Sequence, residues 1–167
     1  MKFFSAPTEK NNKIKPMKGW FGKWPTKGTL KSERRNRAIF NTGHYVDLAV
    51  KRIFELRERK AGSNTIELAI NEEAAKYACD YIGLTPNGKG LQKREKLVEI
   101  VRQRTMLELE PPGFVERQKK KFQLWKEMMN VIWMGWEREV FNMEMSKMYK
   151  KIRKVYDKQI SRSEKIA

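Results

Sequence analysis

The sequence predicts an all-α protein: a small helical core, an extended basic N-terminal arm and a long C-terminal helix. Three observations carry that prediction. Apolar residues recur at helical spacing from Val46 onward, while glycine and proline crowd the first 31 residues. Hydrophobic residues make up 40% of the 167 and charged residues 34%, enough for a modest core with much chain left over as arm or exposed helix. A chain of this length holds one compact domain plus extensions.

Residues 1–31 form the arm. Pro7, Pro16, Pro25, Gly19, Gly22 and Gly28 occur too densely for a regular helix or a central strand, so this segment reads as extended. No apolar run follows the first lysine, which excludes a secretory signal, and cations that are mostly Lys make a poor transit peptide. Residues 32–113 form the short-helix core. Ser32 is a fair N-cap for a short helix through Arg34, Arg35, Arg37, Ile39 and Phe40, with Gly43 separating it from the next. Val46, Ala49, Val50, Ile53 and Leu56 then mark one helix face, followed by Arg57, Arg59 and Lys60, with Gly62 as the C′ residue.

A further helix starts either at Ser63 to Thr65 or at Asn71, where Glu72 and Glu73 suit a first turn, and runs through Ala74, Ala75, Ala78 and Tyr81 to Gly83. Its start is ambiguous because Thr65–Ile70 also alternates like a strand. The stretch Leu84–Gly90 signals a turn, and a helix using Leu97, Val98, Val101 and Met106 spans Leu91–Glu108, stopping before Pro111-Pro112-Gly113.

Residues 114–167 form the long amphipathic segment. Phe122, Trp125, Met129, Ile132, Trp136, Val140 and Met143 follow alternating gaps of three and four with one stutter. A second stripe, Phe141, Met145, Met148, Ile152 and Val155, overlaps it, so the apolar face rotates along the segment and offers surface to two partners. Unbroken from Phe114 to Ile160, this helix would extend roughly 70 Å, with Gly135 the plausible kink.

Chemistry is constrained by what is scarce. His44 and Cys79 are the only residues of their kinds, which excludes a conventional zinc site from this chain alone, an internal disulfide and most histidine-dependent catalysis. Asn87-Gly88-Lys89-Gly90 lacks the spacing of a phosphate loop and reads as a plain turn. His44 reads as a capping or surface residue and Cys79 as a small core residue. No acid, base and nucleophile assemble into a site, so neither enzyme activity, a small-molecule substrate, a metal nor a cofactor is expected. No run of 18 apolar residues occurs, so no transmembrane segment is expected.

What is abundant is positive charge. The formal net charge is +17, and residues 1–40 hold 11 Lys+Arg against two acids. An excess of that size favours an anionic partner. In the arm, Lys18, Lys23 and Lys27 interleave with Trp20 and Trp24, a pattern suited to phosphate contact and base stacking, or else to anchoring in pockets of a neighbouring protein. Lys31, Arg34, Arg35 and Arg37 form the cluster best suited to RNA phosphates. Lys119, Lys120 and Lys121 add a third basic site, and Lys147, Lys150, Lys151, Arg153, Lys154 and Lys158 decorate the second stripe, where a solvated face is the ordinary explanation. Trp125, Trp133 and Trp136 exceed what three short helices bury, which implies a protein interface, and Met129, Met145 and Met148, at helical spacing, read as core or interface packing beside them.

In general form this layout resembles the lineage-specific proteins of mitochondrial ribosomes, small basic helical chains with extended arms. The resemblance implies a structural RNA-binding component of a large ribonucleoprotein in the matrix, contacting rRNA or other structured RNA with its arm and bracing neighbouring proteins with its long helix. The alternative is a peripheral accessory subunit of a mitochondrial inner-membrane complex, with Trp20 and Trp24 in protein pockets and the lysines left free.

Overall fold

A computed structural model describes residues 18–19, 22–23, 42–84, 88–132 and 135–167. The short helix expected over 32–40 lies outside them. In the arm, Lys18–Gly19 (β1) and Gly22–Lys23 (β2) pair antiparallel, with Lys18 opposite Lys23 and Gly19 opposite Gly22. All other regular structure among the described residues is helical: α1 Thr42–Glu58, α2 Ser63–Ile82, α3 Lys89–Leu109, α4 Phe114–Val131 and α5 Gly135–Ile166. The class is all-α, as the periodicity predicts.

Helix α1 turns Val46, Ala49, Val50 and Ile53 inward at spacings of three, one and three. It closes in a Schellman motif, Lys60 N–H donating to the Arg57 carbonyl at 2.9 Å and Ala61 N–H to the Leu56 carbonyl at 3.1 Å. The left-handed residue is Lys60, at φ 60°, and not the expected Gly62. Gly62, at φ −66° and ψ 161°, instead precedes α2 as its N-cap. The chain turns two residues sooner than the glycine suggests, and α2, starting at Ser63, brings Ile66 inward.

Helix α2 is continuous from Ser63, which settles its start and excludes the strand alternative over Thr65–Ile70. The reason is that it is buried on two sides. Ile66, Ile70, Ala74, Tyr77 and Tyr81 join Val46, Ala49, Val50 and Ile53 of α1 and Val140, Met148, Ile152 and Tyr156 of α5 in one cluster. Ala75, Ala78 and Cys79 join Leu97, Ile100, Val101 and Leu107 of α3, Leu124 and Met128 of α4, Ile132, and Phe141 of α5 in another. At 100° per residue the helix turns Ile66, Ile70, Ala74, Tyr77 and Tyr81 to one cluster and Ala75, Ala78 and Cys79 to the other. Burial pushes the Cys79 thiol up to about 12, consistent with an inert core residue. Gly83, at φ 89°, ends α2 where expected, again by a Schellman pair to Asp80 and Cys79.

Charges on α2 tie the bundle together. Its carboxylates Glu67, Glu72, Glu73 and Asp80 each meet an arginine of another helix: Arg153 of α5 at 2.7 Å, Arg102 of α3 at 3.4 Å, Arg52 of α1 at 3.2 Å and Arg94 of α3 at 3.4 Å. Glu73 is 6% exposed, so removing its partners leaves a buried charge uncompensated. Lys76 also reaches it at 3.2 Å, and Tyr45 donates to its backbone carbonyl at 3.2 Å.

The C-terminal segment is not one rod. Ile132 leaves helical geometry at φ −109° and ψ 95°, and α5 restarts at Gly135, where the sequence places the kink. The long helix is therefore the 32-residue α5. It also belongs to the core and is no free extension of it, since Phe141, Met148, Ile152 and Tyr156 are buried against the other helices.

Candidate nucleic-acid interface

Helix α5 has two faces of opposite character. Phe141, Met145, Met148, Ile152 and Tyr156 recur by four, three, four and four and face the core. On the opposite side, Lys147, Lys150, Lys151, Lys154, Lys158, Arg162 and Lys165 are all exposed. At 100° per residue these seven side chains stay within a sector of about 120°, along roughly 27 Å of helix axis.

The row carries one sign of charge. Between Lys147 and Lys165 the acids of α5 are Asp157 and Glu164, which lie on the flank and are each held by an arginine. Arg153 Nε meets Asp157 at 3.2 Å, and Arg57 of α1 meets Glu164 at 3.6 Å. Lys147 is the member with a carboxylate, the 7% exposed Glu144, at 3.0 Å. Arginines thus take up Asp157 and Glu164, and the six cations beyond Lys147 meet no carboxylate among the described residues.

Like charges at i and i+4 oppose a helix by about 0.2–0.5 kcal/mol per pair, and neighbours in this row lie within one Debye length of each other. The pairs Lys147/Lys151, Lys150/Lys154, Lys154/Lys158 and Lys158/Arg162 all carry that repulsion. An anion laid along the row relieves it. Regularly spaced anionic groups, phosphates among them, suit such a row, which meets them through point charges that read no base identity.

Other basic positions divide differently. Lys121 is half-buried and bonds Glu108 at 2.8 Å; Lys120 is exposed and meets Glu116 at 2.9 Å. Lys119 is exposed with no carboxylate against it among the described residues. Two of the three lysines at this site are thus engaged with their own chain. Lys18 and Lys23 lie in the β1–β2 pairing. Trp20, Trp24, Lys27, Lys31, Arg34, Arg35, Arg37 and Trp133 lie outside the described residues.

The expected interface residues separate as well. Met148, 1% exposed, sits in this chain's own core, so it presents no surface to a neighbour. Met145 is half-buried between both clusters, and Trp136 is half-buried against the α1–α2–α5 cluster. Trp125 remains 50% exposed, stacked on the 55% exposed Phe122 with ring centroids 5.8 Å apart and planes at 15°. Met129 is half-buried beside them. The seam through Phe122, Trp125 and Met129 is not what α4 buries, since Leu124 and Met128 face the core instead. Sequence reasoning missed Arg162 and Lys165, which the i+4 and i+7 continuation of Lys158 identifies, and the exposed Phe114 and Val115.

A groove of about 590 Å³ opens between α3 and α5, and its carboxylates Glu67 and Glu108 are already occupied. Glu67 accepts from Tyr149 and Arg153, and Glu108 from Arg117 and Lys121. Among the described residues no group of three or more His, Cys, Asp or Glu is placed to hold a metal, and no helix is long and apolar enough to cross a membrane. Comparison with protein-family models, with curated proteins and with solved structures finds no match.

Proposed function

We propose that this chain is a structural RNA-binding component of a large ribonucleoprotein, holding rRNA or another structured RNA against neighbouring proteins. A mitochondrial ribosome in the matrix is the assembly its basic, helical, armed layout suggests. The observation that carries the reading is the α5 row: seven exposed cations on one face, with Asp157 and Glu164 taken up by arginines and Glu144 by Lys147. The basic arm adds to the same surface chemistry. Bound lipid is the weaker anion for α5, because an interfacial helix sinks an apolar face into the bilayer and α5 spends its own on the core.

The test is binding of the full chain to a structured RNA across a salt series. Replacing Lys150, Lys154 and Lys158 with Gln should flatten the dependence of log K on log salt by about 2–3 units, at roughly 0.9 for each phosphate no longer neutralised. An unchanged slope, or equal binding to vesicles of anionic phospholipid, overturns the assignment of this face to RNA.

A further inference from the structure

The exposed side of α4 has the pattern of one half of a coiled coil. Val115, Phe122 and Met129 are seven residues apart, and so are Gln118 and Trp125, which gives a positions 115, 122 and 129 and d positions 118 and 125. Lys119 and Lys126 then occupy e. The side facing this chain's own bundle is c and g, where Arg117, Lys121, Leu124 and Met128 turn towards α3 and the core. On the a and d side Val115, Phe122 and Trp125 are left 65%, 55% and 50% exposed, more large apolar side chains than a merely solvated face collects.

Charge selects what covers it. Neither Lys119 nor Lys126 meets a carboxylate among the described residues; the Lys126 ammonium lies 4.7 Å from the Phe122 ring centroid. A second copy laid antiparallel would set Lys119 against the copy's Lys126, and would bring together two chains of net charge +17. We infer that the α4 face docks one amphipathic helix of another protein, with apolar residues at its a and d positions and glutamate or aspartate beside them opposite Lys119 and Lys126. Ile132, 1% exposed and already out of helical geometry, ends the seam, so the contact spans about two heptads. Gln118 at a d position favours one register, as a polar core residue does in such pairs. This deepens the protein-docking half of the proposed function and stands or falls separately from its RNA half.

The probe is a synthetic peptide of about 21 residues with Leu at a and d and Glu at e and g, whose own charges keep it monomeric, beside the same peptide with Lys at e and g. Anisotropy of the labelled peptides against the full chain should show the Glu peptide bound and the Lys peptide unbound. Trp125→Ala or Phe122→Ala, both at exposed positions, should weaken the Glu peptide at least about tenfold. Lys119→Glu with Lys126→Glu should transfer preference to the Lys peptide. The α5 variant with Gln at 150, 154 and 158 should bind the Glu peptide as the parent does, which separates this face from the RNA row. The inference is overturned if the Glu peptide does not bind, if the two peptides bind alike, if the charge reversal does not switch them, or if the α5 variant loses the peptide. It is equally overturned if Trp125→Ala abolishes self-association or binding of oligouridylate and leaves the peptide bound.

Discussion

Arg117 Nη2 donates to Glu108 Oε2 at 2.6 Å from the far side of the Pro111-Pro112-Gly113 turn, and Lys121 Nζ reaches the other oxygen of the same carboxylate at 2.8 Å. One side chain at the end of α3 thereby joins two turns of α4 on the face that also carries its buried residues. Arg117, Lys121, Leu124 and Met128 share that face.

That clamp is pH-dependent. The hydrogen bond from Lys121, with the two cations, holds the Glu108 carboxyl below its ordinary 4.5. A carboxyl held low in the folded state adds stability that is present above 4.5 and lost as pH falls through the lowered value. Acid titration should therefore loosen α4 on α3, seen as exchange of α4 amides below pH 4.5. In Glu108→Gln that pH-dependent step should disappear; a step of the same size in the variant would assign it to another carboxylate.

Lys60 holds a backbone conformation that costs a side-chain-bearing residue about 1–2 kcal/mol, part of which glycine returns through its freer unfolded chain. Lys60→Gly should stabilise by up to about 1 kcal/mol, raising the melting temperature by about 2–4 °C. Lys60→Val, branched at Cβ, should lower it. Paired thermal melts decide the matter, and an unstable glycine variant would mean that the lysine side chain makes a contact worth more than its strain.

Phe141 is 1% exposed in the α2–α3–α4 cluster, although it sits on α5. Phe141→Ala should cost about 3–5 kcal/mol and lower the melting of α1 to α5 together. Two separated transitions, with α1 and α2 surviving α4, would show that the clusters unfold independently.

Packing and charge should fail differently on α5. Ile152→Ala, at a fully buried position, is expected to lose about 2–5 kcal/mol at any salt concentration. Lys150→Ala with Lys151→Ala should stay within about 0.5 kcal/mol in folding and weaken RNA association most at low salt. Denaturant curves and RNA titrations on both variants distinguish the two.

Much of this architecture is legible in local pattern. Apolar spacing marks each described helix, Gly83 and Pro111-Pro112 mark ends, and Gly135 marks the break, because each is a property of one stretch of backbone. What escapes local pattern is choice between competing options. Helix α4 carries two apolar faces, and which one turns inward, Leu124 and Met128 or Phe122 and Trp125, is set by its tertiary neighbours on α2, α3 and α5 and not by its own sequence. The Schellman closure likewise falls on Lys60 in place of Gly62. The cation row of α5 is visible in sequence as far as Lys158, but its isolation from acids depends on Arg57, far away along the chain, taking Glu164.

Ala74 belongs to one cluster and Ala75 to the other, so α2 is a wall shared by two rooms. A rotation of that wall by a fraction of a turn would disturb the packing of both at once. The aromatic row of α4 and the cation row of α5 thus ride on helices whose buried sides, Leu124 and Met128 on the one and Met148 and Ile152 on the other, close against clusters that meet at α2.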